Sequence, residues 1–439
     1  MTEHLLELNT TATPAMTQAH TPAPAHCHDD HDPDSMTLDQ ARQRMLDSVA
    51  PVAGHERLGL RTALQRVLAE PVLAPIAVPG HDNAAMDGYA LRGADLPGQG
   101  SVRLELMGTA WAGKPYTGSV GPGECVRIMT GAMMPKDCDT VIMQEKVTRE
   151  SDQIIIPAGP RAGENIRRAG EDVQQGETVL DAGAAITPAR LGLLASLGLV
   201  EVTVRRRPRV AFFSTGDELT PLGQPLPPGG IYDSNRHTLF GMLTALGVEV
   251  LDMGVIPDAR ESLKAAFEDA SACADVVIST GGVSVGEADY IRDILGQVGQ
   301  VDFWKVAIKP GRPLAFGRVG EAVFVGLPGN PVSAVVTFYQ LVQPMLQRMM
   351  GIAEPGLPPL FPAICQSPLK KRPGRIEFQR GVLELDDVGG MQVRATPSQS
   401  SGVLSSMSEA NCFIVLEMEQ NQVAPGETVQ VQPFWGVLP

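Results

Sequence analysis

The sequence predicts a multidomain α/β and β protein whose centre is a doubly wound parallel sheet. The chain has 439 residues, more than a single hydrophobic core normally supports. Between residues 208 and 350, apolar runs typical of buried strands alternate with helical patterns, which predicts parallel strands with helices on both faces. Elsewhere, short β-prone runs are separated by Gly and Pro turns. We therefore expect an inserted β domain, a small mixed domain and a C-terminal β-barrel-like domain around the central sheet.

The N-terminal part of the chain changes in composition near residue 36. Residues 1–35 have few apolar side chains and hold five of the eight histidines, so we expect a disordered His-rich tail. Thr37 and Gln40 have the spacing of a capping box, which opens a helix, and a second helix is predicted over residues 60–68. Two segments form the predicted small mixed domain (domain I), residues 36–75 and 172–206. Residues 76–171 form the β domain inserted in it (domain II).

The central domain (domain III, residues 207–352) alternates strands and helices. Strands are predicted at residues 209–213, 248–254, 275–279, about 301–308 and 322–327, and helices at residues 234–246, 260–272, 289–298 and 331–350. We expect Asp233 and Ser234 to cap the first of these helices and Pro344 to kink the last. Ligands of such sheets bind beyond the carboxyl ends of the strands. Four polar loops follow strands here and should converge on one crevice: residues 214–219, 280–289, 309–313 and 327–333. Residues 353–439, after a Pro/Gly-rich linker, form the C-terminal β domain (domain IV).

The overall composition excludes some classes of function. The net charge is −15, which argues against binding to nucleic acid or to anionic membranes. The six cysteines include no Cys-x-x-Cys pair, so we expect reduced, structural thiols. No apolar run is long enough to span a bilayer and the N-terminus lacks a signal-peptide core, which favours a cytoplasmic location.

A Gly-rich loop between a strand and a helix is the strongest local signal for chemistry. The strand at residues 275–279 runs into a loop that contains Gly281, Gly282 and Gly286, and Asp289 then opens a helix. In this geometry the bare backbone N–H groups can surround a phosphate. Glu287 and Asp289 stand where a phosphate-bound Mg²⁺ would find a carboxylate. Such a loop is also typical of an ordinary strand-to-helix turn.

Three loops of domain II carry polar residues beside turns. Asp87 precedes Gly88, Thr130 lies at a strand end, and Asp172 follows a loop that mixes arginines with acids. Asp and Thr are common in turns because their side chains bond the local backbone. Taken singly, each loop therefore reads as a turn.

Eight motifs in order resemble the molybdopterin molybdenumtransferase family, which includes the C-terminal catalytic domain of gephyrin. The resemblance covers residue 36 to the C-terminus, and it departs from the expected pattern at Ala84, where Ser is expected, and at Arg312, where Lys is expected. The motifs are DNAAMDGYA (82–90), RIMTGAMMP (127–135), GENIRRAGED (163–172), FSTGDEL (213–219), ISTGGVSVGEADY (278–290), FWKVAIKPGRP (303–313), GLPGNPVS (326–333) and EFQRG (377–381).

The resemblance implies an enzyme that inserts molybdate into adenylylated molybdopterin. In this family the adenylyl bond is hydrolysed with Mg²⁺, AMP leaves, and molybdenum is held by the dithiolene sulfurs. The resemblance also implies an elongated homodimer, with domain I for dimerisation and a site between domain III of one subunit and domain II of the other. The expected partners, besides the substrates, are the molybdopterin adenylyltransferase and molybdoenzyme-maturation proteins.

The same resemblance implies the roles of individual residues. Mg²⁺ is expected at Glu218 and Asp289, which offer the oxygen ligands it prefers. The expected catalytic residues are Asp87, Thr130, Asp172, Glu218, Asp289, Lys305 and Lys309. The expected residues for binding the nucleotide and the pterin phosphates are Ser214, Thr215, Gly216, Asp217, Gly281, Gly282, Ser284, Gly286, Pro328, Gly329 and Asn330. The expected molybdate site consists of Lys309, Pro310, Ser333, Arg380 and Ser401.

Two other functions are compatible with parts of the sequence. Domain III alone also resembles the adenylyltransferase that makes adenylylated molybdopterin, but the additional domains and the motif at residues 82–90 argue against it. A non-catalytic scaffold, as in gephyrin's receptor-binding role, is the alternative from another class. Consumption of ATP or release of AMP separates the two enzymes, and partner capture without turnover would favour the scaffold.

Overall fold

The computed structural model describes residues 32, 34–281, 288–357 and 359–434, and for residues 288–290 it describes the backbone. The predicted fold class is confirmed: a central α/β sheet is combined with β domains and a C-terminal barrel. Among the described residues, no helix combines the length and the apolar character needed to cross a membrane.

Six strands form the sheet of domain III. In chain order they are β1 (Arg209–Thr215), β2 (Glu249–Ile256), β3 (Val276–Thr280), β4 (Gly299–Lys305), β5 (Pro313–Val319) and β6 (Ala322–Leu327). Their order in the sheet is β2-β1-β3-β6-β5-β4. Strand β5, which sequence reasoning did not predict, is antiparallel to both of its neighbours, and the other five strands share one direction. The sheet is therefore doubly wound, with one antiparallel strand near its edge.

Helices cover both faces of this sheet. Phe212 and Phe213 are consecutive in β1, and they belong to two different hydrophobic cores because successive side chains of a strand point to opposite faces. Phe213 packs with the helices Arg260–Cys273 and Ala288–Val298. Phe212 packs on the other side, where the core includes residues of the helices Ser234–Leu246, Pro331–Thr337 and Gln343–Met349. All five described residues of β3 are buried, as two covered faces require.

The predicted capping box and the helix that it opens are confirmed. Thr37 Oγ1 accepts from the Gln40 N–H at 3.2 Å and Gln40 Oε1 accepts from the Thr37 N–H at 3.0 Å. The helix Leu38–Asp47 packs on domain III, because its buried Leu38, Ala41 and Met45 join the core that contains Phe212. This helix thus connects domain I to the central sheet.

The helix predicted over residues 60–68 is wrong. A single 3₁₀ turn, Leu60–Ala63, is present, and Gln65 then takes a left-handed φ of 63°, which ends the helical path. The rest of domain I is a small mixed structure, as predicted. Its elements are the antiparallel strands His55–Gly59 and Glu201–Arg205, the short strands Val72–Leu73 and Thr178–Leu180, and the helix Pro188–Ser196.

Domain II is a β structure, as predicted, with a six-stranded sheet. In sheet order its strands are Thr140–Met143, Gly88–Leu91, Glu124–Ile128, Ser101–Ala110, Gln153–Pro157 and Thr148–Glu150. A further pair, Asn83–Ala84 with Ile166–Arg167, joins two of the loops that the sequence motifs cover.

The long helix after β6 contains a π-helical segment, Phe338–Val342, between its two α-helical parts. Pro344 lacks an N–H, so it cannot donate to the carbonyl of Gln340 four residues earlier. That carbonyl accepts instead from Arg42 Nε of the first helix at 3.1 Å. The irregularity predicted at Pro344 is thus stabilised by a long-range contact.

Domain IV is a closed five-stranded barrel, and domain III is joined to it through a strand pair. The barrel strands are Phe361–Cys365, Ile376–Leu385, Met391–Ala395, Cys412–Leu416 and Thr428–Pro433. The short strand Ile308–Lys309 of domain III pairs in parallel with the start of Ile376–Leu385. Tyr339 of the long helix packs edge-on against Phe413 and Phe434 of the barrel region. The two domains therefore share both backbone hydrogen bonds and an apolar contact.

Candidate functional site

A cavity of about 510 Å³ lies at the carboxyl edge of the central sheet. It opens where β1, β3 and β6 end, which is the position that the sheet topology predicts. Five of the residues expected to bind the substrate or the metal line it, namely Thr215, Glu218, Gly281, Gly329 and Asn330, and Thr280 lies among them. The remaining lining residues are Leu219, Ile231, Tyr232, Asp233, Ser234, Asn235, Pro331 and Gly402.

The ends of β1 and β3 are held very close together at the floor of this cavity. Ser214 Oγ and Thr280 Oγ1 are hydrogen-bonded at 2.8 Å, and both side chains are buried. Gly281 has a φ of +94°, and a Cβ at this position would lie 2.4 Å from the carbonyl oxygen of Thr215. Its own N–H donates to Leu327 O of β6 at 3.3 Å. Position 281 therefore accepts only glycine without displacement of backbone.

The carboxylate of Glu218 lines the cavity, and that of Asp258 contacts the lining residue Thr215. Glu218 lies over Gly216, where a Cβ would be 2.6 Å from Glu218 Oε2. Asp258 follows β2, and its Oδ1 accepts from Thr215 Oγ1 at 3.2 Å. Sequence reasoning missed Asp258, although its position after a strand of the same sheet was a usable signal. Asp217 is exposed beside Glu218 and does not line the cavity.

The wall opposite β1 is formed by the start of the helix Ser234–Leu246. Asp233 is buried, accepts from the Arg236 N–H at 3.1 Å, and lies 3.4 Å from Arg236 Nε through its second oxygen. Asn235 Nδ2 donates to Gly329 O at 2.7 Å, which ties this helix to the loop after β6. The sequence identified Asp233 only as a helix cap, and Asn235 carried no recognised signal.

The expected cations lie at the same edge of the sheet but further along it. Lys305 ends β4, which is three strands from β3, or about 14 Å at the usual strand spacing. Lys305 Nζ lies 3.0 Å from Asp32 Oδ2, and Lys309 Nζ lies 3.4 Å from Glu377 Oε2 of the barrel. Among the described residues, the cavity wall includes neither lysine. Both ammonium groups are thus partly neutralised by carboxylates of this chain.

Arg380 is buried in the barrel, where its guanidinium holds the loop of residues 398–406. Its Nε donates to Ser406 Oγ at 3.2 Å, and one NH₂ nitrogen donates to the carbonyl oxygens of Ser398 and Ser400 at 3.3 and 3.1 Å. Burial lowers the pKa of Arg380 to about 10, so the group remains a cation at neutral pH. All three of these side-chain hydrogen bonds are therefore with residues of domain IV.

The loop held by Arg380 reaches the cavity of domain III. Ser401 O accepts from the Val332 N–H at 3.1 Å, at the start of the helix Pro331–Thr337, and Gly402 lines the cavity. Ser333 is buried in the first turn of that helix, and Pro328 is buried just before it. Gly311 packs against the same helix, because a Cβ on it would lie 2.5 Å from Thr337 Oγ1. Gly311, which follows Pro310, and Ser401 thus both contact the helix Pro331–Thr337, which contains Ser333.

Comparison with known proteins agrees with this arrangement. Three family models match successive parts of the chain: the "MoeA N-terminal region (domain I and II)" at residues 36–198, the "Probable molybdopterin binding domain" at residues 211–348 and the "MoeA C-terminal region (domain IV)" at residues 362–434. The molybdopterin molybdenumtransferase of Haemophilus influenzae is 49% identical over 400 residues, which are 91% of this chain and 98% of that protein. The chain belongs to the molybdopterin molybdenumtransferase family.

Other members of the family agree in length and in structure. The molybdopterin molybdenumtransferase of Nostoc sp. is 37% identical, over 86% of this chain and 88% of that protein. The crystal structure of the molybdopterin biosynthesis MoeA protein from Pyrococcus horikoshii OT3 superposes with a TM-score of 0.79 at 30% identity, over 91% of this chain and all of that chain. The family resemblance read from the eight motifs is thereby confirmed.

The catalytic residues that the family resemblance predicts in the motif loops of domain II lie in two separate places. Asp87 Oδ1 accepts from both the N–H and the Oγ1 of Thr130, each at 2.7 Å, and these bonds hold the pKa of Asp87 below its usual range. Asp172 lines a separate cavity of about 420 Å³ with Asn83 and Arg167. Four expected residues, Gly282, Ser284, Gly286 and the side chain of Asp289, lie outside the described residues.

Replacement of Gly281 by Ala tests the close approach of β1 and β3. The substituted residue would need a left-handed φ, which costs about 1–2 kcal/mol, and its Cβ would meet the Thr215 carbonyl. We expect a lower thermal midpoint and a weaker affinity for AMP.

The matched control is Gly402→Ala, which lines the same cavity but has nothing within 4 Å of its added Cβ. It should keep the thermal midpoint of the parent chain. Equal midpoints for Gly281→Ala and the parent would show that the strand ends can separate at little cost.

Proposed function

We propose that this chain transfers molybdenum from molybdate to adenylylated molybdopterin and releases AMP. The observation that carries the proposal is the cavity at the ends of β1, β3 and β6, beside which lie the loop of Lys305 to Arg312 and the barrel loop of Ser401. Hydroxyls, glycines and a carboxylate suit a nucleotide and its phosphates, and cations suit an oxyanion. Two sites for two differently charged substrates thus share one edge of the sheet.

The nucleotide end of the substrate is assigned to the cavity of about 510 Å³. Thr215 and Thr280 carry hydroxyls at the cavity wall that would exchange their bonds to Asp258 and Ser214 for a phosphate oxygen. Gly281 lets the ends of β1 and β3 lie close together beneath them. Mg²⁺ typically takes one or two protein carboxylates and completes its shell with substrate phosphates and water. Glu218 fits that role, with Asp289 as its expected companion, and bound Mg²⁺ would neutralise charge on the bridging phosphates. Hydrolysis of the phosphoanhydride by one water would leave the phosphate on the pterin and release AMP.

The molybdate end is assigned to Lys309, Pro310, Ser333, Arg380 and Ser401. Lys309 is 43% exposed while its partner Glu377 is 7% exposed, so the ammonium is the accessible member of this pair. Lys305, on the neighbouring strand end, adds a second cation. Developing negative charge at this edge would be stabilised by these fixed cations, which need little reorganisation during the reaction.

Incubation with adenylylated molybdopterin, Mg²⁺ and molybdate tests the proposal directly. AMP and active molybdenum cofactor should form together, and Glu218→Gln should lower the turnover at least about tenfold, because a neutral amide is a poorer Mg²⁺ ligand than the carboxylate that it replaces. Consumption of ATP with formation of adenylylated molybdopterin would assign the chain to the adenylyltransferase reaction instead. Capture of a protein partner by a catalytically silent chain would favour the scaffold.

Two substitutions in domain IV separate molybdate binding from loop support. Ser401→Ala should raise the half-saturating molybdate concentration and leave the thermal midpoint unchanged, because only a partly exposed hydroxyl is lost. Arg380→Ala should raise the same concentration and also destabilise the chain by about 3 kcal/mol, because a buried side chain and its hydrogen bonds to the 398–406 loop disappear. An unchanged molybdate dependence in both variants would remove domain IV from the molybdate site.

We also propose that the active form is a cytoplasmic homodimer in which domain II of one subunit completes the site of the other. Asp87 and Thr130 form a fixed polar pair at the surface of domain II, where a second subunit could reach it. We propose that the molybdopterin adenylyltransferase supplies the adenylylated molybdopterin and that proteins that mature molybdoenzymes receive the molybdenum cofactor.

Complementation between two inactive variants tests the shared site. Mixed subunits carrying Asp87→Ala and Glu218→Gln should recover up to a quarter of the parent activity, because half of the dimers are mixed and each mixed dimer keeps one intact site. Subunit exchange should be verified by two different affinity tags. Absence of recovery after verified exchange would place both residues in the site of a single subunit.

A further inference from the structure

A carboxylate from the N-terminal segment lies on two cations at the carboxyl edge of the central sheet. Asp32 Oδ2 is 3.0 Å from Lys305 Nζ and is in direct contact with one NH₂ nitrogen of Arg312. These contacts hold the pKa of Asp32 below its usual range. Asp32 belongs to the segment that the sequence assigns to the tail, so this pairing was not anticipated.

Local backbone contacts hold this carboxylate over the two cations. Asp32 Oδ1 accepts from the Asp34 N–H at 3.0 Å and Asp32 O accepts from the Ser35 N–H at 2.9 Å, so Asp32 is held by two local hydrogen bonds. Met36 then pairs with the strand end, since its N–H donates to Lys305 O and its carbonyl accepts from the Ala307 N–H, both at 2.8 Å. Asp32 is thus positioned by local hydrogen bonds, and the chain just after it pairs with the backbone of Lys305 and Ala307.

The cation pair keeps hydrogen-bonding capacity that Asp32 does not use. Within the described part of the chain, Arg312 Nε is buried and has no acceptor. A carboxylate offers two oxygens, and one of those of Asp32 is already used by the Asp34 N–H. A tetrahedral oxyanion offers four oxygens and a higher charge, so it can satisfy Lys305 and the guanidinium fork more completely.

We propose that Asp32 is an internal competitor for an oxyanion subsite formed by Lys305 and Arg312. In the closed arrangement its carboxylate occupies the subsite, and molybdate or a substrate phosphate must displace it to bind there. The competitor raises the apparent dissociation constant of the oxyanion by the inverse of the fraction of molecules in which Asp32 has left the subsite. This inference rests on the proposed function, in which this edge of the sheet binds molybdate.

The substitution Asp32→Asn tests the competition, because it removes the charge and keeps the shape of the side chain. We expect the dissociation constant for molybdate, measured by titration calorimetry on the full chain, to fall about two- to fivefold, the range over which an ion pair of this exposure can compete. The half-saturating molybdate concentration for AMP release should fall by the same factor. Asp32→Glu, which keeps a carboxylate, should restore values close to those of the parent chain.

Asp34→Asn is the matched control, because it removes an equal charge two residues away, where the side chain is exposed. It should leave both constants unchanged, which separates local competition from a general change in electrostatic attraction. Unchanged or weaker molybdate binding in Asp32→Asn would overturn the inference, and weaker binding would mean that Asp32 orients the cations. If the proposed function is wrong, the parent chain would release no AMP. Calorimetry would still report the effect of Asp32 on oxyanion binding, so the two failures can be distinguished.

Discussion

The central sheet buries both of its faces, and this constraint determines where the rest of the chain can act. Two helices cover the face of Phe213, and the long helix with its neighbours covers the face of Phe212. With both faces closed, the edge where the parallel strands end is the place at which backbone groups and polar side chains meet solvent. The cavity, the two lysines and Arg312 all lie at that edge.

Domain IV contacts this same edge, so hydrogen bonds link the barrel directly to the site. The strand Ile308–Lys309 pairs with the barrel, and in the loop supported by Arg380 the Ser401 carbonyl accepts from the Val332 N–H at the start of the helix Pro331–Thr337. That carbonyl uses one of the free N–H groups at the helix N-terminus, which otherwise attract anions. A change in the barrel core therefore reaches the cavity through few intermediate contacts.

An acidic chain that handles anionic substrates needs cations whose charge is controlled. The net charge is −15, and at the carboxyl edge two lysines and an arginine are each paired with a carboxylate of the same chain. Such pairs keep the cations ordered in the absence of substrate, and they lower the local potential that a substrate encounters. Under the proposed function, binding of an oxyanion at this edge is an exchange of partners.

The sequence by itself determined most of the elements of domain III and their order, because these follow from short-range patterns. It missed strand β5 and wrongly predicted a helix over residues 60–68. The capping box at Thr37, the cap at Asp233, the buried strand of domain III before Gly281 and the motif loops after the strands were all readable within a few neighbouring residues. The tertiary structure alone decided which distant side chains meet. Asp258 beside Thr215, Arg42 on the Gln340 carbonyl and Asp32 on Lys305 join residues 43, 298 and 273 positions apart. Such contacts are set by how packed layers bring chain segments together, and a local pattern carries no record of that distance.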